Sequence, residues 1–407
     1  MNLGDAPRRA DPVSQKEEAP MSLRAWFQEY RLRRSHEERP LEFGDPTRVE
    51  RFQIAARVKA AGQGALIEAA TPDFNFELES GAFMFSKKAL ALAFRFAQNN
   101  ISSPGVLREL QGSKVIGTIS DALSPNGLAG RIAATGDSRI HFMNVTAGAF
   151  FFPLALALHW KSLDGPADAR RSIESPLLAH LDFPTREIFL PLNADRCVEA
   201  ANLARCAFLA TIYHEFCHII RGHTAWLTAE YKQEDFLEVV SDGVSGPDDY
   251  SKWRRILETD ADLLSGTYLS AFVARAAERE QRSGASASDA LAKHASLMLT
   301  GVTLMYSWFA RSTWYHSGLV RVHVVLIGLM HGLRDLDKGN RLLVKLVPQV
   351  EQIQKRLVEL ELLPASAADF LDGDAYDMAH HTLLKIEESD TLWTVHSPLA
   401  TKRQVGV

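Results

Sequence analysis

From residue 195 to residue 363, apolar positions recur at three- and four-residue spacing, which predicts helices over 195–221, about 249–278, 288–310, 318–334 and 340–363. The last carries Leu342, Leu343, Leu346, Val350, Ile353, Leu357 and Leu360 on one face, and Pro348 is expected to kink or restart it. Two short segments read as strands, RIHFMNV at 139–145 and REIFLPL at 186–192, each bounded by Gly, Pro or Asn. Upstream, helix-like stretches (RVERFQIAARVKAAG, SKKALALAFRFAQNN) alternate with SSPG and LSPNG breaks, which predicts an accessory mixed α/β region over 41–135. Residues 1–40 have few aliphatics among many Arg, Glu, Pro and Asp, the composition of a disordered segment. The expected organisation is α+β and helix-dominated, with a central domain at 136–335 and a C-terminal helical extension at 336–407.

Residues 140–160 contain no Asp, Glu, Lys or Arg, so a membrane span has to be weighed. Against it, the run includes His141, Asn144, Thr146, Pro153 and His159, and its purely apolar centre, AGAFFFPLALAL, has the length of a buried helix. The uncharged stretch 294–310 is shorter, holds Ser and Thr, and also reads as core.

Composition narrows the function classes. Values of 46% hydrophobic and 23% charged residues are those of a folded globular chain. With 45 Lys+Arg against 50 Asp+Glu and no long basic run, dedicated nucleic-acid binding is disfavoured. Cys197, Cys206 and Cys217 are too few for a disulfide scaffold, and the first twenty residues lack the apolar core of a secretory signal. A cytoplasmic protein is expected.

The chemistry concentrates in Ala207–His223, AFLATIYHEFCHIIRGH, an apolar-periodic run with no Gly or Pro before Gly222. Within it His214, Glu215 and His218 form H-E-x-x-H. On a helix, residues four apart share a face, so both imidazoles reach one ion, while Glu215 lies about 100° further round, where it can hold a water on that ion. A zinc ion held this way keeps a position open for water, whose pKa falls towards ~7, and the neighbouring carboxylate can take its proton as it attacks a carbonyl. Two histidines do not complete a catalytic zinc site. The predicted helix at 249–278 contains Glu258 and Asp262, again four apart: Glu258 can be the third ligand and Asp262 can accept the free ring N–H of a ligand histidine. His223 competes for the third position only if the helix turns at Gly222, as in the metzincin pattern, from which both Gly222 and His223 depart by one place.

HEFCHIIRGH followed by E-T-D-A-D resembles the gluzincin branch of zinc metallopeptidases, in particular the group of CAAX prenyl proteases and heat-shock membrane proteases, with motifs H-E-x-x-H-x-x-x-x-H and E-x-x-A-D. The resemblance covers a minority of the chain. It implies a zincin-like domain with a short strand before the motif helix, His214, His218 and Glu258 as zinc ligands, Glu215 as general base and Asp262 as the group that orients a ligand. The family's His-Pro motif and following Arg have their nearest counterpart in His316 and Arg321, with Ser317 where the Pro would stand. His316 is thus a candidate catalytic residue, and Tyr315 and Arg321 share with it the candidacy for stabilising an oxyanion. The membrane helices of those relatives are not evident, and soluble intracellular H-E-x-x-H peptidases of bacterial regulation and phage exclusion are equally similar.

The expected function is therefore a zinc endopeptidase acting on proteins or peptides, with REIFLPL as an edge along which an extended substrate could lie. The alternative is a non-enzymatic scaffold with a structural zinc. Other conspicuous residues have ordinary readings: Cys217 is a small buried side chain, the adjacent His380 and His381 face different ways on a helix, and the acids from Glu230 to Asp249 are a solvated face.

Overall fold

Strands and helices alternate in the first half of the chain and helices take over the second in the computed structural model. It describes residues 41–67, 84–101, 110, 113–132, 140–164, 166–167, 170–174, 187–191, 193–232, 235–237, 248–307, 318–337, 341–360 and 374–398. All of them belong to one unit, Glu38–Val407.

The order is β1 (Glu42–Phe43), α1 (Arg48–Ala60), α2 (Met84–Ile101), β2 (Lys114–Ser120), β3 (Gly127–Ile132), β4 (Ile140–Thr146), α3 (Gly148–Leu163), β5 (Arg170–Glu174), β6 (Glu187–Pro191) and α4 (Ala194–Ile220). Then follow α5 (His223–Tyr231), β7 (Asp235–Leu237), α6 (Asp248–Arg282), α7 (Ala287–Tyr306), α8 (Gly318–Leu333), α9 (Arg341–Glu359), α10 (Asp374–Ser389) and α11 (Thr391–Thr394). The fold is a helix-dominated α+β arrangement with a small mixed sheet of order β1-β2-β4-β3-β7 and a separate β5-β6 pair.

In the sheet β4 runs parallel to β2 and antiparallel to β3, so Phe142 has Ile116 on one side and Gly130 on the other. β7 pairs outside β3, with Phe236 opposite Ala129. β2 and β3, from the expected accessory region, and β4, from the expected central domain, thus form one sheet. β2 and β3 escape single-sequence reading because their glycines look like breaks, and only pairing on both sides makes them strands.

The uncharged run 140–160 divides into β4 and the first part of α3, a helix of 16 residues buried along almost its whole length. Among the described residues no helix is long and apolar enough to cross a membrane. Asn144 and His159 in the run have specific partners instead. Asn144 Nδ2 donates to Gln63 Oε1 and Ser120 Oγ, each at 2.8 Å, and its Oδ1 accepts from Thr118 Oγ1 at 3.0 Å. His159 Nδ1 accepts the Phe189 N–H at 3.1 Å, joining α3 to β6. Buried polar groups are tolerated when satisfied in this way.

The helical half packs on the sheet through α4, the helix that carries H-E-x-x-H, with α6 and α7 on its other side and α8 along α6. α9 buries Leu342, Leu346, Val350, Ile353 and Leu357 as its periodicity requires. The helix continues through Pro348 rather than restarting. The carbonyl that Pro348 cannot engage is that of Val344, which stands on the exposed face where water can take the bond. A second, smaller core gathers Trp226, Leu227, Ile256, Leu257, Ile386 and Trp393 from α5, α6, α10 and α11.

His141 on β4 is buried, and burial, with Arg131 adding repulsion, holds its pKa down to about 4. Between its ordinary value of 6.5 and about 4 the unfolded chain binds a proton that the folded chain refuses, so unfolding free energy rises with pH across that window. We expect stability from this residue to be complete above 6.5 and to be lost as pH falls towards 4, by about 2 kcal/mol at pH ~4.5. Urea unfolding at the two pH values measures it, and His141→Leu should flatten the dependence; an unchanged slope in that variant would refute the assignment.

Candidate metal centre

α4 starts at Asn193, whose side chain accepts the Asp195 N–H at 2.8 Å, and continues unbroken for 27 residues to Ile220. His214 and His218 therefore sit one turn apart near its C-terminal end. α6 crosses beside them and brings in Glu258. His214 Nε2 and His218 Nε2 are 2.9 Å apart, His214 Nε2 is 3.0 Å from Glu258 Oε2, and His218 Nε2 is 4.0 Å from the same oxygen. His214 and His218 are fully buried and Glu258 is 2% exposed. Among the described residues these three form the group able to hold a metal ion. Ligands 2.0–2.1 Å from a tetrahedral ion lie about 3.3 Å from each other, a separation that the observed values bracket.

The outer partners decide which ring nitrogens carry protons. His214 Nδ1 is 2.8 Å from Asp262 Oδ1, an oblique ion-pair approach. Asp262 is itself gripped by Arg321, through Nε at 2.7 Å and Nη2 at 3.0 Å, and by Tyr306 Oη at 2.5 Å. Although burial opposes ionisation, the Arg321 guanidinium and His214 outweigh it and hold the Asp262 carboxyl at about 2. An ionised Asp262 only accepts, so the His214 proton belongs on Nδ1 and the lone pair on Nε2. Arg321 Nη2 also reaches the Glu258 ligand oxygen at 3.3 Å. It thus bridges the two carboxylates, which makes Arg321 a clamp behind the metal group.

The same reasoning applies to His218 through residues that the sequence did not connect. His218 Nδ1 is 2.9 Å from His223 Nδ1, and His223 Nε2 is 2.9 Å from Asp260 Oδ2. That oxygen also accepts from Arg221 Nε at 2.6 Å and Trp393 Nε1 at 3.0 Å; against burial, His223 and then Arg221 hold the Asp260 carboxyl below its usual range. His223 must then donate from Nε2 and accept at Nδ1, His218 donates from Nδ1, and its Nε2 is left with a lone pair. His218 Nε2 presents its lone pair 2.9 Å from His214 Nε2, where a proton on His214 bridges the two rings and a metal cation can take that proton's place. Burial by itself would keep His214 neutral, yet the Asp262 and Glu258 carboxylates raise its pKa well above the usual range. Burial, joined by positive neighbours, holds His218 well below it. Positive charge is favoured between His214 and Glu258.

His223 can reach His218 because the chain turns a corner at Gly222, whose φ of +85° suits glycine and starts α5 at His223. The histidine that competes for the metal in the sequence thus lies behind a ligand instead. Asp260, Tyr306 and Trp393 give no sequence signal, because each acts across more than thirty residues.

Glu215 is completely buried on the side of α4 that faces β3. A Cβ at Gly127 would lie 2.0 Å from Glu215 Oε1, so the carboxylate occupies the space that glycine leaves at the start of β3. The Gly127 carbonyl accepts from Gln63 Nε2 at 2.8 Å, which ties this floor to the Asn144 network. Tyr315 and His316 lie outside the described residues, as do Glu234, Glu238 and Asp242 among the acids between Glu230 and Asp249. β6 precedes α4, but its end touches Cys197 in the early turns of that helix, about 25 Å along it from His214, and its Phe189 amide is already bonded to His159. β3 is the strand beside Glu215. Cys217 is fully buried and its thiol is pushed well above its usual pKa by that burial, while His380 and His381 are exposed.

No family model matches the chain, and no curated protein and no solved structure matches it either.

Proposed function

We propose that this chain is a zinc-dependent endopeptidase of zincin-like fold, with His214, His218 and Glu258 holding the ion and Glu215 as general base. The observation that carries the reading is the convergence of two Nε2 atoms and one carboxylate oxygen within 4.0 Å, with outer partners on both histidines. A bound zinc would supply a Lewis acid and lower the pKa of water towards ~7. Glu215 adjoins the ligands in sequence without belonging to their group, and in this reading it takes a proton from water and passes it to a leaving amine. Asp262 and Arg321 hold His214 and Glu258 in register, so the acceptor geometry does not depend on loop order. His316 remains a candidate for the oxyanion on the strength of the motif alone. Substrates in this reading are proteins or peptides in the cytoplasm, and nucleic acid and membrane are not partners. A regulatory or phage-defence role fits a soluble H-E-x-x-H peptidase.

The depth of the group, with no ligand more than 2% exposed, favours a second reading, a partner-binding scaffold with a structural zinc. Structural zinc usually has four protein ligands, whereas three are grouped among the described residues. Zinc without hydrolysis of any peptide library, and partner binding indifferent to Glu215→Gln, would select the scaffold.

Metal analysis of the purified chain tests the centre. About one zinc per chain is expected, and His214→Ala, His218→Ala and Glu258→Ala should each lose it while the fold persists. A wild-type chain that takes up no divalent ion when offered zinc would end the metal reading.

A further inference from the structure

The C-terminal turn that contains Trp393 packs onto the corner between α4 and α5. A Cβ on Gly222 would meet the Trp393 carbonyl oxygen and the Ser397 nitrogen, each at 2.6 Å, and Ser397 Oγ donates to the Ile220 carbonyl at the end of α4. Asp390, just before α11, lies 3.7 Å from Arg221 Nη2. Trp393 is fully buried there, its ring edge-on to His223 with centroids 5.6 Å apart, and its Nε1–H donates to Asp260.

From this continuity we infer that Trp393 is a positioning residue for the metal centre, acting through Asp260 and His223 on the ligand His218. The indole donor and Arg221 fix the Asp260 carboxylate, which fixes the proton of His223 on Nε2. His223 Nδ1 then accepts the His218 Nδ1 proton, and His218 Nε2 is left free to bind an ion. The indole cannot accept a hydrogen bond, so it enforces the carboxylate as acceptor in a way that a water, free to turn, does not. Outer-shell partners of metal-ligating histidines typically change metal affinity 10- to 100-fold when removed. The inference rests on the metal centre proposed above and assigns to the C-terminal extension a role in it.

The test uses the full chain. Long-range ¹H–¹⁵N imidazole spectra of the zinc-free wild type should show His218 protonated on Nδ1 and His223 on Nε2. The opposite tautomers would overturn the relay without any variant. Trp393→Phe keeps an aromatic ring and removes the donor together with part of the indole's volume; zinc affinity, measured by competition with a chromogenic chelator, should fall about 10-fold, and His223→Gln should lower it by up to about 100-fold. Trp226→Phe, in the same aromatic cluster, should bind zinc like the wild type, which separates positioning from a general loss of packing. Equal zinc affinity in Trp393→Phe and wild type would overturn the inference and leave the metal centre standing. A wild type with the expected tautomers and no zinc binding would overturn both.

Discussion

Glu215→Gln is expected to keep the zinc and to lower peptide hydrolysis about 10²- to 10⁴-fold, the usual contribution of a positioned general base. The substitution is nearly isosteric, so the space at Gly127 that accommodates the carboxylate also accommodates the amide, and the fold should be unaffected. The amide cannot take a proton from water, whereas the ligand group of His214, His218 and Glu258 is untouched. Separate readouts are needed: zinc stoichiometry for the site and turnover of a peptide library for the chemistry. A variant as active as the wild type would remove Glu215 from the base role. A variant without zinc would show that Glu215 supports the ion rather than the water.

Arg321→Met is expected to destabilise the chain by about 3–5 kcal/mol at neutral pH, whatever the chain catalyses. Arg321 is 2% exposed and is bonded to Asp262 and Glu258, which are 0% and 2% exposed, so its removal takes a buried countercharge from two buried carboxylates, leaving Asp262 with Tyr306 and His214 and Glu258 with His214 and Arg254. The deficit should carry a pH signature. Asp262, held at about 2 below its ordinary 3.8, contributes stability that is complete above 3.8 and is lost as pH falls through about 2. Without the guanidinium its carboxyl titrates higher, so the gap between variant and wild type should narrow on acidification below neutrality. Adding Asp262→Asn to Arg321→Met should cost less than the two single changes together, because the charges act as a unit. Chemical unfolding at several pH values measures all of this, and an Arg321→Met chain as stable as the wild type would show that the buried clamp contributes nothing net. Zinc should reduce the loss, since the ion provides positive charge to Glu258 when the arginine is gone.

The sequence by itself determined the parts whose logic is local. Three- and four-residue periodicity placed α4, α6, α7, α8 and α9, and the one-turn spacing within H-E-x-x-H put His214 and His218 on one face with Glu215 beside them. The same spacing paired Glu258 with Asp262. Pattern also predicted β4 and β6, whose apolar residues alternate or run together, but missed β2 and β3, where glycines interrupt the pattern and the partner strands restore it. What only the tertiary structure decided is which distant groups stand behind each ligand. Whether His223 competes for an ion or supports His218 depends on a left-handed residue at Gly222 and on where the corner points. That Arg321 clamps two carboxylates depends on α8 crossing α6, and that Trp393 belongs to the same network depends on a turn at the other end of the chain folding back onto α4. Hydrogen bonds of this kind are set by the crossing of helices far apart in sequence, and periodicity, which reports only the face a residue occupies on its own helix, carries no record of them.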